Sequence, residues 1–160
     1  MTKRFAVILA VVMMASLAAC GREGTLSAEN ETNANEAEEV QEDAEMKMKV
    51  EAGGSTFTAT LEDNEAAAAL EEMMEEGPVI IEMDDYSGFE KVGSLGISLP
   101  ASNSRMTTRP GDIVLYNSSQ IVMFYGSNTW SYTKLAEIDD LTGWEEALGS
   151  GSVTVTLSME

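Results

Sequence analysis

Five aromatic side chains, Tyr86, Phe89, Tyr125, Trp130 and Tyr132, fall close to glycine bends in the second half of this 160-residue chain, with Arg105 and Asn128 as polar contacts. Brought together, residues of these types make a binding groove for a small molecule or peptide, with apolar walls and a few placed polar groups that fix orientation. The alternative use of the same aromatics is to plug a core and its ends. Carboxylates are the second resource. Glu82, Asp84 and Asp85, or Asp139 and Asp140, offer oxygen ligands of the kind calcium and magnesium take, but no EF-hand spacing is present. Paired acids at strand ends read more simply as solvated turns, so no metal site is assigned. No carboxylate spacing singles out a pair for hydrolysis.

Composition removes whole classes of chemistry. The chain has no histidine, so Ser-His-Asp and Cys-His catalysis and imidazole metal sites are excluded. Its one cysteine forms neither an intrachain disulfide nor a thiolate-cluster zinc site. With 28 acidic against 9 basic residues and a net charge of −19, it lacks the clustered cations that nucleic-acid phosphates require. Neither a P-loop nor a strand–GxGxxG–helix arrangement occurs. No catalytic residue, cofactor or oligomeric state is implied.

The elements that must position the aromatics are mostly strands. Met46, Met48 and Val50 alternate with Lys47, Lys49 and Glu51, and Gly53-Gly54 turns the chain into residues 55–61, where Phe57, Ala59 and Leu61 share a face. That pattern predicts a hairpin. Asp63 or Asn64 caps a helix running to Glu76, with Ala66, Leu70, Met73 and Met74 as its apolar stripe and Gly77-Pro78 as its stop. Strands are expected at residues 78–84, 105–108, 112–116, 120–125, 133–138 and 152–159, with a short helix over 141–148 packing Trp144 and Leu148. The glycines of residues 86–100 suit sharp bends and bulges. About eight strands with one or two helices in residues 46–160 point to a mainly β domain, closed into a barrel so that few edges stay exposed.

Ahead of it, Lys3 and Arg4 precede an apolar run over residues 5–19, at about 22 Å too short to span a bilayer as a helix. The pattern describes a secretory signal over residues 1–19. Leu17-Ala18-Ala19-Cys20 resembles the lipobox of bacterial lipoproteins, which implies that Cys20 becomes the lipidated first residue of the mature chain. The expected partner is then a bacterial membrane, held through the acyl chains on Cys20, and the expected location is extracytoplasmic. Residue 21 is Gly rather than Asp, so the usual signal for retention on an inner membrane is absent. Residues 20–45 follow as an acidic tether. Its stretch over residues 21–45 carries nine carboxylates, one Arg and no aromatic, too little apolar surface to offset ordering, so it is expected to be disordered. Residues 46–160 carry a net −13 of their own.

Several separated motifs, taken in order, carry a family resemblance. They are residues 86–96 (YSGFEKVGSLG), Leu99-Pro100, residues 110–116 (PGDIVLY) and residues 124–133 (FYGSNTWSYT). Together they resemble the bacterial and archaeal cyclophilin-like fold family. The resemblance implies an eight-stranded cyclophilin-like β-barrel capped by one or two helices. True cyclophilins place an Arg beside a Phe and a His on a Phe-His-Arg strand lining an apolar groove. Here that triplet is missing, and Arg105 and Arg109 are the only arginines of residues 46–160. The expectation is therefore a lipid-anchored, non-catalytic binding module, with a weak prolyl isomerase or envelope folding factor, using Arg105 as electrophile, as the alternative. Carrying activity over from fold alone would be analogy.

Overall fold

The structure, a computed structural model, describes residues 45–160. The expected signal, Cys20 and all but the last residue of the tether lie outside the described residues. Nine strands and two helices follow one another as β1 (Lys47–Ala52), β2 (Ser55–Leu61), α1 (Glu65–Glu76), β3 (Val79–Tyr86), β4 (Glu90–Ser94), β5 (Ser104–Thr107), β6 (Asp112–Tyr116), β7 (Gln120–Phe124), β8 (Thr129–Ile138), α2 (Trp144–Leu148) and β9 (Val153–Met159). Eight strands close in the order β2-β1-β9-β3-β4-β7-β6-β8, and β8 returns to β2 through Ala59↔Ile138, Thr60↔Glu137 and Leu61↔Ala136. Every pairing is antiparallel. The ninth strand, β5, lies outside the cylinder and pairs only with the first half of β8, from Thr107↔Thr129 to Ser104↔Tyr132.

The period-two alternation sets the inner face. Met48, Val50, Phe57, Ala59, Ile81, Met83, Ile113, Leu115, Ile121, Met123, Val155 and Leu157 all join one interior cluster. The β1–β2 register runs from Lys47↔Thr60 to Ala52↔Ser55, turning at Gly53-Gly54 with φ of 56° and 81°. Two successive positive φ angles define the tight hairpin turn that only glycine adopts without strain. A side chain on Gly53 would also drive into the carbonyl oxygen of Ala147 in α2.

Asn64 caps α1 by accepting from the amides of Ala66 and Ala67 at 3.0 Å each, and Ala66, Leu70 and Met74 turn into the core. The second helix packs at the opposite end of the β1–β2 hairpin. There the Trp144 ring stands edge-on to Phe57 at 5.0 Å, and its indole N–H donates to the Phe124 carbonyl at 2.9 Å.

Two expectations need correcting. The segment read as glycine bends contains a true strand, β4, paired with β3 and β7. Gly93 sits in mid-strand because the side chains of Ile81 and Met83 occupy the space its Cβ would need. The bulge falls instead between Ile113 and Val114, where no glycine is involved. Likewise the strand expected at residues 133–138 is only the second part of the ten-residue β8, which begins at Thr129 and is long enough to pair with β2, β5 and β6 along its length.

Candidate functional site

The outer face of the barrel wall carries its own apolar cluster. Along β6 and β7 the odd-numbered Ile113, Leu115, Ile121 and Met123 face the interior, while Val114, Val122 and Phe124 form a separate cluster with Tyr132 of β8. Apolar side chains on the solvent side of a sheet need a cover, and aromatics provide it. Phe124 meets Tyr132 edge-on at 5.7 Å, and Tyr132 meets Tyr116 at 5.9 Å.

Above this floor opens a cleft of about 450 Å³, within the range of small-molecule pockets. Strand pairing assembles it from distant parts of the chain. Tyr86 at the end of β3 faces Glu90 at the start of β4, Val92 faces Val122, and Gln120 faces Tyr116. Asn128, Trp130 and Tyr132 complete the wall from β8 and the residue before it. Trp130 and Tyr86, both lining the cleft, stand 54% and 59% exposed. Asn128 is held by Thr108, whose amide donates to the Asn128 carbonyl at 2.8 Å and whose hydroxyl accepts from the Asn128 amide at 2.9 Å. Its side-chain nitrogen donates to the Tyr132 hydroxyl at 3.1 Å.

Glu90 gives the cleft its electrostatic character. Only 6% exposed, it has a buried carboxylate oxygen, Oε2, that receives no hydrogen bond. Burial pushes its carboxyl up to about 7. Burial also raises the Tyr132 hydroxyl, with the Glu90 charge adding to the effect. Among the described residues no Lys or Arg lines the cleft. The neighbouring Lys91, fully buried, points through the wall to the other side. There it donates to Asp85 at 2.8 Å and to the Gly151 carbonyl at 2.6 Å. Tyr125 donates its hydroxyl to the same Asp85 oxygen. Lys91, and then Tyr125, hold Asp85 below the usual carboxylate range, while burial followed by Asp85 pushes Tyr125 up to about 12.

Of the seven residues picked out in the sequence, Tyr86, Asn128, Trp130 and Tyr132 converge on the cleft. Phe89 stands behind it, edge-on to Tyr86 at 6.4 Å, its carbonyl accepting from the amides of Tyr125 and Gly126. Tyr125 does not join them: one residue beyond the outward-facing Phe124, it turns towards Asp85 and Lys91. Arg105 is likewise apart from the cleft. It lies opposite Ser131, and the two-residue period sets both on the other face of the β5–β8 ribbon from Trp130 and its partner Met106.

Sequence reasoning missed Glu90, Tyr116 and Gln120. Two signals pointed to them. Tyr116 and Gln120 flank the Asn117-Ser118-Ser119 turn, so they sit opposite one another. The adjacent charges Glu90-Lys91 between Phe89 and Val92 must face opposite sides of any strand they occupy.

Three of the acids considered for metal binding make hydrogen bonds to neighbouring elements. Glu82 accepts from Thr154 and Asp84 from Ser152, both at 2.7 Å, and Asp139 accepts from Lys47 at 3.0 Å. Among the described residues no group of three or more Cys, Asp or Glu side chains is arranged to hold a metal ion. A search of curated proteins finds no match to the chain. A sequence profile of the cyclophilin-like family matches residues 50–158, from within β1 to the penultimate residue of β9. With the closed eight-stranded barrel and a match over most of its length, the chain belongs to the cyclophilin-like family.

Proposed function

We propose that this protein is a non-catalytic binding module, anchored outside the cytoplasmic membrane through a lipid on Cys20, that holds a small molecule or the side chain of a peptide against the outer wall of its barrel. The observation that carries the binding reading is the cleft itself: the exposed aromatics Tyr86 and Trp130, a floor of Val92, Val122 and Tyr132, and a few fixed polar groups. The anchor rests on the lipobox-like Leu17-Ala18-Ala19-Cys20 and the apolar run before it. Prolyl isomerisation is the weaker reading, because Arg105, the cationic donor nominated to polarise a prolyl amide, is not among the cleft residues.

The test exploits the two tryptophans. Trp144 is buried with its N–H bonded, and Trp130 is half in solvent, so their indole N–H resonances serve as internal control and reporter. A panel of cationic, neutral and anionic aromatic fragments and short peptides is titrated into the full chain. The expected result is saturable movement of the Trp130 resonance alone, lost in Tyr86→Ala. Silence across the whole panel would refute a binding cleft. In a protease-coupled proline-peptide assay the expected rate is that of buffer, and acceleration would favour the isomerase. Labelling with radioactive fatty acid in a bacterial host tests the anchor: wild type incorporates label and Cys20→Ser does not.

A further inference from the structure

Resting on the reading of the cleft as a binding site, we infer that its ligand is an organic cation bearing N–H donors, an alkylammonium or guanidinium group, seated between Trp130 and Tyr86 with a hydrogen bond to Glu90 Oε2. Three observations converge on that class. Oε2 is a buried acceptor without a donor, in a side chain 94% removed from solvent by its 6% exposure, and such an atom calls for one. The lining includes a tryptophan and three tyrosines, Tyr86, Tyr116 and Tyr132, residue types whose ring faces attract cations. Among the described residues no Lys or Arg lines the cleft, and Lys91, next to Glu90, is committed to Asp85 and Gly151 across the wall.

Competing ligand types fit less well. An anion would meet an unpaired carboxylate. A hard divalent ion takes six or more oxygens, and the cleft supplies one carboxylate. A quaternary ammonium suits the rings but has no proton to give Oε2. The net charge of −13 on residues 46–160 adds a long-range pull on cations of any kind.

Two sources share this chemistry, a free amine and a Lys or Arg side chain of a peptide. The experiment separates them, following the Trp130 indole resonance of the full chain in phosphate buffer at pH 8 and pH 5.5. The probes are phenethylammonium, its neutral counterpart 2-phenylethanol, its N-trimethyl counterpart, and the acetylated amides of Gly-Lys-Gly and Gly-Arg-Gly. At pH 8 the N–H cation should bind at least tenfold more tightly than the alcohol, and more tightly than the trimethyl form. That preference should shrink severalfold at pH 5.5, where Glu90 holds its proton. Glu90→Gln, with the Trp144 resonance unmoved as evidence of an intact fold, should abolish it at both pH values. Tighter binding of the peptides than of phenethylammonium supports a peptide source, and the reverse order supports a free amine. Equal or tighter binding of the alcohol, or a preference that survives in Glu90→Gln, overturns the cation assignment and leaves the binding module standing. Failure of these probes alongside success of the wider panel does the same. Silence of both sets overturns the two proposals together.

Discussion

Glu90→Gln should make the fold more stable above neutral pH while leaving it nearly unchanged in acid. A free glutamate in the unfolded chain titrates at 4.5, and burial in the barrel wall lifts the same group to about 7. With the folded value above the unfolded one, the contribution of this group is fully present below pH 4.5. It is lost as the pH rises through the folded value. At about 1.36 kcal/mol per pH unit, the charged form costs the native state about 3 kcal/mol above pH 7. The amide of glutamine adds a constant offset of its own, so the informative quantity is the pH dependence of the difference between variant and wild type. Urea melts followed by tryptophan fluorescence supply it, and about 3 kcal/mol corresponds to a midpoint gain of roughly 1–3 M relative to pH 4. Phosphate and acetate are the buffers of choice, since a primary amine such as Tris is itself a ligand of the inferred class. If the two stability curves run parallel within about 0.5 kcal/mol from pH 4 to pH 8, Glu90 is not desolvated in the folded state, and the account of the cleft fails.

Other perturbations separate site from scaffold. Trp130→Ala should cost less than about 1 kcal/mol of stability, as half-exposed positions do, and Trp144→Ala about 3–5 kcal/mol, both read by thermal melting. Gly53→Ala should cost about 2–4 kcal/mol, from its left-handed backbone and the obstructing Ala147 carbonyl, measured by denaturant midpoint. Asp85 is held below its usual 3.8 by Lys91 and then Tyr125, so the pair supports the fold above that value and fades as the pH falls through the lowered one. Lys91→Met should therefore be markedly less stable at pH 6, and the gap to wild type should narrow below pH 4 in an acid titration.

How far the sequence reaches depends on whether an element is specified locally. The first hairpin was legible to the residue: strict alternation in residues 46–61 met a Gly-Gly turn, and the pairing from Lys47↔Thr60 to Ala52↔Ser55 follows from those two facts. The helix was equally legible, because Asn64 and Gly77 mark its ends chemically. The strand β4 was not, because its five residues hold Glu, Lys and Gly and carry no alternation of hydrophobicity. Its place is set by the neighbours β3 and β7. The site divides in the same way. Aromatic residue types announced a groove, and four of the seven residues first picked out meet there. The two-residue period sends Tyr125 and Arg105 elsewhere, and only strand register brings Tyr116, Gln120 and Glu90 in.

The first and last strands of the barrel are neighbours, with β9 seated between β1 and β3 from Met48↔Met159 to Val79↔Leu157. Before β9 docks, the wall therefore has an open gap, flanked by two unsatisfied ladders of backbone amides and carbonyls on β1 and β3. Cooperative closure waits for β9, whose partners on β1 and β3 lie far back along the chain. Deleting β9 would leave two sticky edges rather than a slightly shorter barrel.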